Sequence, residues 1–205
     1  MTGVQTCALP ISGVNGGWFG LRTRPEFYNK FSGDARGFFW TSGQNLSIAN
    51  IGTFNDGYAI NKWRNVKSTG GAGSDASGNF VDIDYPIFRL ADAYLMYAEL
   101  SVAGIGSTTT ARNYINALRT RGGVAPYTGT IDYNFILDER GRELYWEGHR
   151  RQDLIRLGKF TGSSYVWQWK GGVQAGTSTD AKFNLFPIPS DAIGANPTLV
   201  QNPGY

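Results

Sequence analysis

The run Asp138-Glu139-Arg140-Gly141-Arg142-Glu143-Leu144-Tyr145-Trp146-Glu147-Gly148-His149-Arg150-Arg151-Gln152-Asp153-Leu154 decides how the chain is read. Its acidic and basic residues alternate at helical spacing, and Leu137, Gly141 and Leu144 fall on one line, so a helix is predicted over about 133–147. Asp138–Arg142 and Glu147–Arg151 are spaced for i,i+4 pairing, and Glu139, Glu143 and Glu147 share a stripe. Gly148 is expected to break this helix before a short one over about 151–157, closed by Gly158.

Working outward, Pro86 suits a first helical position, and the strongly periodic residues after it predict a helix over about 86–102. Ile87, Ala91, Tyr94 and Ala98 form its inward stripe, with the alanines allowing close approach of a partner, while Arg89, Asp92, Met96 and Glu99 face the other way. Gly104 and Gly106 end it. A second helix over about 109–121 turns Ala111, Tyr114, Ile115 and Leu118 inward and stops at Gly122-Gly123, giving an antiparallel pair with a short connection.

The flanks read differently. Residues 13–84 are loop-rich, with scattered aromatics and a flexible segment at 70–78; the helical part spans 85–158; and 159–205 is an extended tail. Within that tail, Tyr165-Val166-Trp167-Gln168-Trp169-Lys170 alternates with period two and predicts a short strand before Gly171-Gly172. Pro187, Pro189, Pro197 and Pro203 keep the remainder extended, with at most one turn near Ser190–Ile193.

A length of 205 residues with 41% hydrophobic content suffices for one substantial core. No window approaches the roughly 20 apolar residues of a membrane-spanning helix. The net charge of +3 comes from basic residues interleaved with acidic ones, a pattern of local pairing rather than a phosphate-binding stripe, so no nucleic-acid partner is expected. Cys7 is the one cysteine and permits no intrachain disulfide. Its surroundings, Met1 to Ile11, resemble the in-frame translation of a sequencing-library adapter, so residues 1–12 are read as a non-native tail.

Asp138, Glu139, Glu143 and Glu147 invite an acid/base glycosidase reading, because two carboxylates flanking a sugar bond are the usual machinery. Arginine stands three or four residues from most of them, a setting that keeps a carboxylate occupied rather than poised as an acid. His149 is the only histidine and no Gly-x-Ser-x-Gly elbow accompanies it, so serine hydrolase chemistry and histidine metal clusters are not expected, and no catalytic residue is assigned. No cofactor is expected; the loop from Asp75 to Asp84 has oxygen ligands of the type calcium takes, without EF-hand spacing. Aromatics at 14% and 28 glycines suit a saccharide surface, where rings stack on the apolar face of a sugar and polar neighbours meet its hydroxyls. The leading candidates are Trp18, set among glycines, with Arg22 as a hydrogen-bond donor, and then Trp40; the Tyr165/Trp167/Trp169 stripe is weaker, since such stripes usually cover a face.

Three blocks in this order resemble the C-terminal region of the SusD/RagB family: residues 85–99, residues 138–154, and Leu185-Phe186-Pro187-Ile188-Pro189 with the closing Asn202-Pro203-Gly204-Tyr205. Ile115-Asn116-Ala117-Leu118-Arg119-Thr120-Arg121 resembles the family's intervening helix, so the likeness covers about 13–205. The resemblance implies a mainly α fold of tetratricopeptide-like helix pairs with long irregular loops and little β structure. It further implies a non-catalytic outer-membrane lipoprotein, surface-exposed and anchored through an N-terminal region, that binds a glycan ligand and hands it to a SusC-like TonB-dependent transporter. Family members are usually more than twice this length, so a truncated segment is expected. Two alternatives stand beside glycan binding: a scaffold or transporter-docking segment without its own glycan site, and a glycoside hydrolase fragment.

Overall fold

The computed structural model describes residues 21–75, 77 and 80–205. These divide into two compact units, one ending at Arg150 and one running from Arg151 to Tyr205. The described residues are mainly helical, with two strands of two residues each.

The first unit is built on α2 (Leu90–Val102), α3 (Thr108–Arg121) and α4 (Tyr133–Leu144). Caps set two of the starts: Ser107 Oγ accepts from the Thr110 N–H at 3.3 Å, and an Asp132 carboxylate oxygen accepts from the Phe135 N–H at 2.7 Å. A five-residue connection turns α3 back on α2. Leu95, Ala98, Ala111, Ile115, Leu118, Ile136 and Leu144 form the buried core between the three helices. Alanines on both sides of the α2–α3 contact let the backbones close up, and Tyr94 stacks on Tyr114 at 4.2 Å with the rings 3° from parallel. Each fully buried leucine or isoleucine stabilises this core by about 1.5–3 kcal/mol.

Two expectations for α2 are overturned. It starts at Leu90, not Pro86; Arg89 stays extended (φ −149°, ψ 155°), which carries its guanidinium to Glu143 and Glu147, and Ile87 is 70% exposed instead of lying in the inward stripe. Asp92 faces inward, not outward, because Arg140 of α4 meets it at 2.7 Å and neutralises it in the interior.

α4 also ends earlier than its charge pattern predicts. The chain leaves the helix at Tyr145, and Trp146 (φ 60°) takes up a left-handed conformation before Gly148 (φ 79°) does the same. The Tyr145 ring falls into a second core with Phe31 and Ile60, and its hydroxyl donates to Arg36 O at 2.8 Å. This second core is the floor of the loop-rich segment. There α1 (Pro25–Tyr28), a 3-10 turn at Asn29–Phe31, β1 (Phe39–Trp40) and β2 (Ala59–Ile60) are joined by edge-on contacts among Phe27, Phe31, Phe39 and Tyr145. Gly57 (φ 82°) sits where a Cβ would lie 2.6 Å from the Arg22 Cβ, so only glycine fits the return into β2.

In the second unit, α5 (Arg150–Arg156) runs in from the boundary and closes at Gly158 (φ 66°). The predicted strand at 165–170 is absent: Trp169 is left-handed (φ 68°) and leads into a 3-10 turn at Lys170–Gly172. Buried Lys170 causes the reversal, since its ammonium donates to Gly162 O and Tyr165 O, each at 2.7 Å, and pulls the segment into a knot that cannot pair as a strand. Beyond it, α6 (Ser190–Ala195) occupies the expected turn, and the Gln201 side chain clamps Ile188 by accepting from its N–H and donating to its carbonyl, both at 2.8 Å.

Leu95 is fully buried and Leu100, one turn and a half further along α2, is 48% exposed. Leu95→Ala is expected to cost about 2–5 kcal/mol in urea-unfolding free energy. Leu100→Ala is expected to change it by no more than about 0.5 kcal/mol.

Candidate functional site

The stripe Glu139, Glu143 and Glu147 runs along α4 and just past its end, and all three carboxylates are buried. Their partners arrive from distant segments. Glu139 receives Arg142 Nη2 at 2.6 Å and Arg119 Nη1 at 3.2 Å, while Arg36 Nη2 lies 2.9 Å from its Oε1 without hydrogen-bond alignment. Glu143 takes Arg89 Nη1 at 2.6 Å, Arg36 Nη1 at 3.1 Å, and Arg121. Glu147 takes Arg89 Nε at 2.6 Å and Lys62 Nζ at 2.5 Å. Arg36 is further held by Asp34 at 2.6 Å.

These contacts replace the predicted i,i+4 pairs. Arg142 turns to Glu139 and leaves Asp138 to Lys30, which reaches it at 2.7 Å. Glu147 is taken by Lys62 and Arg89, and Arg151 donates instead to the carbonyls of Phe183 and Asn184. Interior carboxylates draw the cations that bury with them, because an unpaired charge there costs several kcal/mol, whereas a surface i,i+4 pair contributes a few tenths.

Burial pushes the Glu143 carboxyl up, but hydrogen bonds and charge from Arg89 and Arg121 outweigh it and hold the group below its ordinary value. Asp34 behaves alike: burial raises it, and the Arg36 hydrogen bonds and charge lower it further than burial lifts it. Lys62 is pulled down by desolvation against the raising effect of Glu147. A glycosidase acid needs a raised carboxyl facing substrate. Glu143 is lowered and interior, and the oxygens of its neighbours in the stripe already face arginine and lysine.

The sequence-derived binding candidates fare unequally. Trp18 lies outside the described residues. Arg22 is half-buried, its Nε donating to Phe54 O at 2.9 Å with the guanidinium 4.7 Å from the Phe54 ring centre. Trp40 is half-buried at the end of β1, opposite Ala59. Thr23 bridges Tyr58, so the segment 58–60 brings the Arg22 and Trp40 backbones onto one small platform. Tyr165 and Trp167 belong to the knot around Lys170, whose ammonium stands 4.7 Å from the Trp167 ring centre. In the Asp75–Asp84 loop, Asp75 accepts from Ser77 and the Phe80 N–H, and Asp82 accepts from Ser74. No group of three or more metal-ligating side chains is found among the described residues. Arg36, Lys62 and Arg89 were missed as partners of the stripe; each lies more than 50 residues from the glutamate it meets, and no local spacing marks such a contact.

Fold and site together define a helical scaffold protein with aromatic-bearing loops, whose most conspicuous carboxylates are structural. The chain belongs to the SusD family, whose model matches residues 13–205. It is similar to the starch-binding protein SusD of Bacteroides thetaiotaomicron, 39% identical over 190 residues, covering 91% of this chain and 33% of that protein. Among solved structures, it resembles surface glycan-binding protein A from Bacteroides uniformis at 27% identity and a TM-score of 0.69, covering 92% of this chain and 42% of the other. It also resembles surface glycan-binding protein A from Bacteroides thetaiotaomicron in complex with laminarihexaose, at 25% identity and a TM-score of 0.69, covering 96% of this chain and 44% of the other. The chain thus spans about a third of the length of the curated relative.

A carboxylate with a lowered folded-state pKa contributes stability that is complete above its ordinary value and is lost as pH falls through the lowered one. For Glu143 and Asp34 the ordinary values are 4.5 and 3.8. The urea midpoint is therefore expected to fall as pH drops from about 5 to about 3. Glu143→Gln is expected to cost about 3 kcal/mol at neutral pH by removing the carboxylate that Arg89, Arg36 and Arg121 share, leaving more buried positive than negative charge, and to flatten that acid slope. An unchanged midpoint in the variant would remove the network from its structural role.

Proposed function

We propose that this chain is part of a cell-surface protein that binds oligosaccharide or polysaccharide without cleaving it and passes it to a SusC-like TonB-dependent transporter in the outer membrane. The similarity to the starch-binding protein SusD over 91% of the chain carries the reading, and the likeness to a relative solved with laminarihexaose supports the substrate class. Binding of this kind needs no cofactor: an aromatic ring covers the apolar face of a hexose while neighbouring polar groups meet its hydroxyls. Within the chain we assign this work to Trp40 and Arg22, on the platform made by the 58–60 segment, together with Trp18. The occupied carboxylates of α4 weigh against hydrolysis. A second reading, packing on another polypeptide, is favoured by the exposed Ile87, Phe88 and Leu90 at the start of α2.

Affinity gels cast with starch or laminarin test the first reading. Retarded migration of the parent chain is expected, with no reducing ends released on prolonged incubation. Trp40→Ala is expected to weaken retention about three- to tenfold, the worth of one stacked ring. Release of reducing ends would restore the glycosidase alternative.

A further inference from the structure

Six cations surround the glutamate stripe and its neighbour Asp34: Arg36, Lys62, Arg89, Arg119, Arg121 and Arg142. Only four carboxylates answer them, those of Asp34, Glu139, Glu143 and Glu147. The cluster therefore holds two more positive charges than negative ones. Its carboxylates are at most 4% exposed and five of its cations at most 24%, whereas Arg121 is 57% exposed.

Backbone dipoles meet part of the excess. Lys62 Nζ donates to Glu143 O and Tyr145 O, each at 2.9 Å, and Arg89 Nη2 donates to Glu143 O at 2.6 Å, all at the C-terminal end of α4. Arg119 and Arg121 lie in the last turn of α3. A helix C-terminus carries the equivalent of roughly half a negative charge, so two of them leave about one positive charge without a counterpart. An unmatched charge is far less costly beside water than in the interior, and the cluster reaches water at Arg121. There Nη2 pairs with Glu143, while Nε and Nη1 meet no acceptor among the described residues. Gly122 and Gly123 follow and place no side chain beside it. A Cβ at Gly122 would lie 2.7 Å from the Arg36 Cγ and Cδ, so the missing side chain lets buried Arg36 pack directly against the end of α3.

We infer that Arg121 is an anion site that takes one carboxylate group, with the unbalanced cluster behind it adding to its attraction. A lone surface guanidinium holds a carboxylate weakly, because water screens the pair. Fixed charges behind it, in surroundings that water does not reach, focus the field on the one exposed member. The planar donors of a guanidinium suit a carboxylate in particular. A free carboxylate anion and a uronate residue of a saccharide present the same group. The site goes beyond the glycan-binding reading and does not rest on it, since a neutral glucan has no charge to offer.

The test is arginine footprinting of the parent chain with phenylglyoxal, read by peptide mass spectrometry, with sodium acetate, tetragalacturonate and neutral maltotetraose as probes. Exposed Arg64 serves as the internal reference for salt effects. Modification of Arg121 relative to Arg64 is expected to slow about threefold as acetate or tetragalacturonate is raised past its dissociation constant, and to be untouched by maltotetraose. Equal potency per carboxylate identifies a site for free carboxylates; tetragalacturonate acting at about a tenth of the acetate concentration identifies a uronate in a saccharide. Acetate is also expected to raise the thermal unfolding midpoint of the parent and of Arg121→Lys, and to lose that effect in Arg121→Gln. Arg121 slowed no more than Arg64 by either carboxylate would overturn the site. Protection by maltotetraose as strong as by tetragalacturonate would also overturn it, while favouring the glycan-binding reading. Footprinting of the unsubstituted chain decides the matter should a variant fail to fold.

Discussion

Burying three carboxylates in a row along α4 and just past its end constrains everything packed around them. Glu139, Glu143 and Glu147 lie in the interior of the first unit, and each ion withdrawn from water costs several kcal/mol unless paired at close range. The partners come from residue 36 in the loop-rich segment, residue 62 after β2, residue 89 before α2 and residues 119 and 121 at the end of α3. Nearly every segment of the unit is therefore tied to α4 by a charge. The arrangement explains why α2 begins late. An extra helical turn from Pro86 would take the Arg89 backbone out of the extended form that lets its guanidinium span two glutamates.

Such a network is a poor source of net stability and a good source of register. Apolar replacements of equal volume commonly do as well energetically, but a wrong docking of α2, or of the segment 34–36, would strand a charge and be rejected. Stability proper comes from the apolar faces of α2, α3 and α4 and from the aromatic core around Phe31 and Tyr145. Arg121 is 57% exposed and water screens it, so it contributes far less than Arg36 or Arg89. Gly141 serves the same end from inside α4. A side chain there would meet Arg150 Nη1 at 2.9 Å, and Arg150 needs that room to donate to Leu137 O.

The helical part was legible because its signals are local. α3 lies within a residue of its predicted bounds, having a serine cap, a clean apolar stripe and a glycine stop. The stripe of glutamates was also legible, though not its distant partners Arg36, Lys62 and Arg89, since contacts over 50 or more residues leave no trace in spacing. The inward turn of Asp92 failed for that reason: only Arg140, 48 positions away, makes an aspartate acceptable there. At 165–170 the alternation was real but a buried lysine overrode it, because its ammonium required backbone carbonyls that a strand would have used elsewhere. The binding candidates Arg22 and Trp40 were chosen from their neighbours in sequence, which show nothing of the bridge of Thr23 to Tyr58 that brings their backbones together.

The same constraint bears on the proposed recognition of a sugar by aromatic side chains. A ring contributes to weak binding only if little freedom is lost on contact, so rings on loops must be held by something other than the ligand. In the first unit that support is electrostatic as well as apolar. Lys62 is fastened to two carbonyls and a carboxylate, and the residues on either side of Trp146 are fastened to Lys62. The charges that suggested catalysis thus act one layer below the surface, as struts for aromatic side chains. A carboxylate fully engaged as a strut is unavailable as an acid, so rigid presentation and hydrolysis compete for the same oxygens, and here the arginines have taken them.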